Sequence, residues 1–238
     1  MKVADLHTWR LSPPQAIEIQ KELAHRVLRK GKVGSAHLIA GVDMAAGRAA
    51  GLATAAAVVL SYPEFEVVNA EIEHGELDFP YVPGLLSFRE APLILAALKK
   101  LAVAPDLILV DGQGIAHPRR MGLACHLGLL TDRPTIGCAK SRLCGHHRAL
   151  GQEAGSFAEL VDGGETIGAA LRTKNSVKPV YVSTGHRIDL ADAVYWVLEC
   201  CRGYRLPEPL RLAHMAAGGH LKVAAVAPEP GYQAKPFG

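Results

Sequence analysis

The feature that most limits the possible fold is a pair of short apolar runs, Leu107-Ile-Leu-Val110 and Pro134-Thr-Ile-Gly-Cys-Ala139. A strand open to water on one face alternates apolar and polar residues. Runs without alternation read as strands covered on both faces. The first run ends directly in Asp111-Gly-Gln-Gly-Ile-Ala-His-Pro-Arg-Arg120, and the second ends in Lys140. A carboxylate at the carboxyl edge of a buried strand needs a partner or a metal ion. The glycines beside Asp111 let a ligand come close to the backbone. The expectation from this stretch alone is a metal-dependent site on a mixed sheet.

The rest of the chain supplies the other elements. Ser12, Pro13 and Gln15 form a helix-start signature, and apolar spacing carries the predicted helix from 13 to 30, with Gly31 as its stop. Strands are predicted over 37–43, 52–61 and 65–77, separated by the turn-like segments 47–51 and 62–64. Three hairpin-linked strands make an antiparallel meander. Helices follow over 93–103, 119–132, 190–201 and 209–217, and further strands over 165–173 and 179–183. The tail from Gly218, rich in Ala, Pro and Gly, reads as loose. No linker or repeat divides the chain, so one α/β domain over 1–217 is expected, followed by a flexible tail over 218–238.

Composition excludes several classes. Nearly half the residues are hydrophobic and few are aromatic, as in an ordinary packed domain. The net charge of +3 permits a nucleic-acid partner without requiring one. The five cysteines show no CxxC spacing, which suggests reduced core thiols and a cytoplasmic setting. The first residues lack the apolar core of an export signal, and no run approaches the length of a membrane span. A soluble cytoplasmic protein without membrane contact is the expectation.

Several residues can carry chemistry. Asp43 follows the run Leu38-Ile-Ala-Gly-Val42 as Asp111 follows Leu107–Val110. If those strands are neighbours, the two acids meet at one edge, and a divalent cation such as magnesium relieves their repulsion. Two solvated turn aspartates are the bland alternative. Glu90 either closes a capping box from Ser87 or, with Pro92 at the first helical position, stands at a helix entrance within reach of a metal. Lys140 on its own reads as a surface lysine at a strand end. His117 and Arg119, in His-Pro-Arg-Arg, suit a phosphate backbone. Tyr81, in Pro-Tyr-Val-Pro-Gly, could wedge into a base stack, although packing against the domain is the commoner use. His146-His147 has no companion ligands, which argues against zinc.

Taken together, Phe79-Pro-Tyr-Val-Pro-Gly-Leu-Leu-Ser-Phe-Arg-Glu90, Asp111–Arg120, Pro134-Thr-Ile-Gly-Cys-Ala-Lys-Ser-Arg-Leu143, Ser183-Thr-Gly-His186 and Arg205-Leu-Pro-Glu-Pro-Leu-Arg-Leu-Ala-His214 closely resemble endonuclease V. The resemblance covers roughly residues 5 to 216. It implies a ribonuclease-H-like mixed sheet, the three-strand meander plus parallel strands, flanked by helices. It implies a magnesium-dependent repair nuclease, with manganese as a substitute metal, acting at deoxyinosine in DNA. Cleavage would fall at the second phosphodiester 3′ of the lesion, leaving 3′-hydroxyl and 5′-phosphate ends. Asp43 and Asp111 would hold the metal with Glu90 completing the set. Lys140 and His214 would act at the scissile phosphate, and Tyr81 would be the wedge. The flipped base would sit among Gly84, Leu85, Gly112, Leu123, Gly137 and Leu143. A monomer is expected. Inosine-containing RNA as main substrate, or a non-catalytic nucleic-acid-binding module, are the alternatives.

Overall fold

The computed structural model describes residues 1–47 and 51–221, so part of the predicted 47–51 turn and the tail beyond Leu221 lie outside it. Strands β1 (Leu38–Ala46), β2 (Leu52–Ser61), β3 (Val67–Glu76), β4 (Leu107–Val110), β5 (Thr135–Ala139), β6 (Phe157–Asp162), β7 (Glu165–Leu171) and β8 (Val180–His186) form one sheet. Its order is β3-β2-β1-β4-β5-β8-β7-β6. The meander β1–β3 is antiparallel, β4 runs parallel to both β1 and β5, and β8 returns antiparallel. Helices are α1 (Pro13–Ala24), α2 (Leu86–Lys100), α3 (Leu123–Thr131), α4 (Leu190–Glu199) and α5 (Glu208–Ala217).

The unalternating strands are covered on both faces, as their sequences require. Ala40, Val42, Ile108 and Val110 point toward α2 and α3, packing on Ile94, Leu98, Leu123 and Leu127. Their neighbours Ile39, Leu107 and Leu109 point the other way, onto Trp196, Val197 and Leu210. Each such leucine or isoleucine contributes about 1.5–3 kcal/mol by leaving water. The result is two helical layers, α2/α3 and α4/α5, with the sheet between them.

Several predicted boundaries move, each for a local reason. Helix α1 begins as expected, with Gln15 Oε1 accepting from Ser12 N–H (2.9 Å) and from the Ser12 hydroxyl (2.8 Å). It ends at Ala24, not at Lys30, because the following backbone pairs elsewhere. Leu28 N–H donates to His186 Nδ1, and Arg187 N–H and Asp189 N–H donate to the carbonyls of Leu28 and Gly31. Such tertiary bonds outweigh helix propensities of tenths of a kcal/mol, on the order given by host–guest scales. Helix α2 starts at Leu86, seven residues before the prediction, and holds Pro92 within it. Helix α3 starts later, since Arg120 takes φ 55° and pairs with Asp162 and Glu165. Strand β6 was not predicted. Its signal was Asp162-Gly-Gly-Glu165, a two-residue hairpin turn with φ 61° and 81° at its glycines.

His126 shows how tightly the α3 layer is closed. It is fully buried, against the rings of His7, Trp9 and Phe88 at 4.9, 5.3 and 5.0 Å. Its Nε2 lies 2.6 Å from His7 Nε2, so the two nitrogens share one proton at most. Burial, reinforced by His7, pushes its pKa down to about 3. A histidine in the unfolded chain titrates near about 6.5. Below that pH the unfolded state takes up a proton that the folded state refuses, so stability falls as pH drops toward the folded pKa. This group alone should remove roughly 3 kcal/mol between about pH 7 and about pH 4. Denaturant unfolding across that range would show the loss, and His126→Phe should flatten it by that amount. An unchanged slope in the variant would refute the assignment. Among the described residues no helix is long and apolar enough to cross a membrane.

Candidate active site

The carboxyl edge of β1, β4 and β5 gathers the chemistry. β1 stays paired with β2 as far as Ala46 but leaves β4 at Val42–Val110. Asp43 therefore lies inside β1, just past the point where β4 diverges, and does not end the strand as its sequence suggested. Asp111 begins the segment after β4 and donates its N–H to the Val42 carbonyl at 3.1 Å. The two carboxylates are thereby fixed side by side. From the opposite layer α5 sends His214, whose Nδ1 lies 2.6 Å from Asp43 Oδ2. A carboxylate accepts, so Nδ1 donates to it here, and a cation bound through that nitrogen would take the place of its proton. Lys140, at the end of β5, ion-pairs with Asp111 and lies 4.0 Å from Asp43 Oδ2.

Ligand atoms of Asp43, Asp111 and His214 all fall within 4.8 Å of one another. Two carboxylate oxygens and an imidazole nitrogen form a donor set that fits a divalent cation. Glu90, on the second turn of α2, stands outside that three-residue cluster but lines the same cavity. Burial pushes its pKa up to about 8, and the charges of Asp43 and Asp111 add to the rise. Burial and then Asp43 also raise Asp111, against the opposing pull of Lys140. Crowded acids with raised pKa values are what a bound cation would relieve.

Beside the acids opens a cavity of about 490 Å³. Gly84, Gly112, Leu123 and Leu143, four of the six residues expected around the base, line it together with Met121, Gly122 and Gln113. Leu85 and Gly137 do not line it. Leu85 is buried with Ala16, Phe79 and Phe88 beneath the loop. Gly137 packs under the Gly112–Gly114 backbone, where a Cβ would come within 2.3 Å of Gly114 N. It supports the wall from behind. Tyr81 is 74 % exposed, so packing within the domain is not its role.

His117 and Arg119 are engaged differently from the predicted phosphate contact. His117 Nδ1 accepts from Arg119 N–H (3.1 Å), so Nε2 holds the proton and donates to the Gly84 carbonyl (3.0 Å). Burial and then Arg119 push its pKa down to about 4. A buried neutral imidazole is a poor phosphate ligand. Arg119 Nη2 donates to the same carbonyl at 2.7 Å, and Gln20 Nε2 at 3.0 Å. Three donors thus pin Gly84, at φ 78°, and with it the loop that carries Tyr81. Gln20 was missed in the sequence. Its signal was an amide on the buried face of α1, one turn from Ala16 and Leu23.

Sheet order and edge acids together define a ribonuclease-H-like fold with a candidate metal centre. The family description endonuclease V matches residues 21–215, and the chain belongs to that family. It is 51% identical over 217 residues to endonuclease V of Dehalococcoides mccartyi, covering 91% of this chain and 97% of the relative. The crystal structure of the Streptomyces avermitilis endonuclease V superposes with a TM-score of 0.85 at 42% identity, covering 92% of this chain and 97% of that one. Endonuclease V of Ciona intestinalis, in complex with a 24mer DNA containing an inosine followed by a ribo-adenosine, gives 0.76 at 28% identity, covering 88% and 97%. The protein is a nuclease of a metal-dependent family.

Proposed function

We propose that the protein is a magnesium-dependent repair endonuclease that recognises deoxyinosine in DNA. It cuts the second phosphodiester 3′ of the lesion, leaving a 3′-hydroxyl and a 5′-phosphate, and works as a monomer in the cytoplasm. The observation that carries this reading is the shared wall between acids and cavity. Asp111 belongs to the metal cluster while Gly112, the next residue, lines the cavity. A base held there lies beside the cutting centre. The Ciona relative, crystallised with inosine-containing DNA, supports that choice of substrate.

Each residue then has a task. Asp43, Asp111 and His214 would hold magnesium, with manganese as a substitute, and Glu90 would complete the acidic set. The bound ion would supply positive charge against the phosphate as charge develops in the reaction. Lys140, already beside Asp111, adds a cation at the same edge. Tyr81, exposed between Pro80 and Pro83, would fill the gap left by the flipped base. Removing that ring should weaken binding by about 1–3 kcal/mol, the range for a base stacked on an aromatic side chain. Tyr81→Ala should therefore raise KM on inosine duplexes more than it lowers kcat.

A second reading keeps the site and makes inosine-containing RNA the main substrate. The ribo-adenosine in the Ciona ligand favours it, because that site accepts a ribonucleotide next to inosine. Mapping product ends on matched DNA and RNA strands tests both. The DNA reading expects nicks at the second 3′ bond of the DNA strand. Cleavage of RNA alone would replace it with the RNA reading.

A further inference from the structure

The catalytic edge has a second exposed tyrosine that the roles above do not use. Tyr204 lies in the segment before α5 and is 53 % exposed. The Arg211 guanidinium covers its ring, with Cζ 4.6 Å from the centroid. That guanidinium is held in turn, since Nε and Nη2 donate to Glu208 at 2.8 and 2.5 Å. One side of the ring is thus backed by a fixed cation, and much of the rest is open to solvent. Neighbouring Arg205 donates to the carbonyls of Lys140 (2.6 Å), Pro179 (2.8 Å) and Lys178 (2.9 Å). Its donors go to carbonyls rather than a carboxylate, which leaves its positive charge on this surface. Through the Lys140 carbonyl the segment is also tied to the metal-cluster edge.

Position separates Tyr204 from Tyr81. Tyr81 precedes α2, which packs on one face of the sheet, whereas Tyr204 precedes α5, which packs on the other. Arg211 lies three residues before His214 on α5, a rise of about 5 Å. Tyr204 therefore belongs to the α5 side of the catalytic edge, across the sheet from the helix that follows Tyr81.

We infer that Tyr204, backed by Arg211, is a stacking platform for a base of the cleaved strand beyond the cut, on its 3′ flank. The inference rests on the proposed endonuclease reading. An aromatic face beside uncancelled positive charge suits a nucleotide, whose base stacks while its phosphate meets the cation. Two contacts of this kind, one on each side of the cut, would hold the scissile phosphate against sliding.

The test uses two inosine-containing duplexes with the same full-length complement. In one, the inosine strand runs well past the cut; in the other it stops at the first nucleotide past it. Dissociation constants are measured for the wild type, Tyr204→Leu and Tyr204→Phe. On the long strand Tyr204→Leu should bind roughly tenfold more weakly, and Tyr204→Phe should bind as the wild type does. On the short strand all three should agree. An equal loss on both strands, or no loss on the long one, would overturn the platform. Failure of the wild type to cleave either duplex would sink the endonuclease reading, while the flank-dependent binding would still decide this inference.

Discussion

Asp111→Asn is expected to lower strand cleavage by on the order of a thousandfold or more, since it removes charge from a proposed metal ligand. The same change should leave the fold intact and raise its stability slightly near neutral pH. Burial and the charge of Asp43 push the Asp111 pKa up. A carboxylate whose folded pKa lies above its unfolded value destabilises the protein at pH values where it is ionised. An uncharged amide of the same shape avoids that cost, although Lys140 loses its ion-pair partner. Added magnesium should raise the melting midpoint of the wild type and have less effect on the variant. Thermal melts with and without the ion, beside single-turnover cleavage, measure both halves. A variant that is inactive because it is unfolded would not support the assignment.

Gly137→Ala should damage the site without touching the cavity. The added Cβ would lie 2.3 Å from Gly114 N, 2.7 Å from Gln113 C and 2.8 Å from Gly112 O, all of them backbone atoms that cannot rotate aside. Overpacking of this kind costs about 1–3 kcal/mol, occasionally more. The displaced segment also leads directly from Asp111. Loss of stability should therefore come with loss of cleavage, and magnesium should bind more weakly. Denaturant unfolding and magnesium titration of the variant check this. Wild-type behaviour in both would mean that the segment yields freely, and that its position does not matter.

Much of the fold was legible because unalternating strands leave few options. Leu107–Val110 and Thr135–Ala139 had to be covered on both faces, and their parallel pairing followed from the helical segment between them. Helix ends were less legible. Lys30 marked the end of an apolar pattern, but the backbones of Leu28 and Gly31 bond to residues 186–189, a partnership that no local window contains. Pro92 misled in the opposite direction, because burial of Phe88, Ala91 and Ile94 holds α2 through a position that lacks an N–H. At the site, Asp43 and Asp111 could be paired from their matching strand contexts. His214 could not be placed by spacing, since it arrives from the other face of the sheet. His117 and Arg119 looked like phosphate ligands because an exposed basic pair and a buried loop clamp are spelled the same way. Only the Gly84 carbonyl, 33 and 35 residues away in sequence, tells them apart.

In the proposed function the cavity selects inosine and the adjoining Asp43–Asp111–His214 cluster cuts beside it. Its most direct test is a nicking assay with magnesium on two duplexes that differ only in one base, hypoxanthine or adenine. A magnesium-dependent nick is expected at the second phosphodiester 3′ of hypoxanthine, and none at the equivalent bond of the adenine duplex. Equal nicking of both duplexes, or cleavage that persists when the metal is chelated, would contradict it.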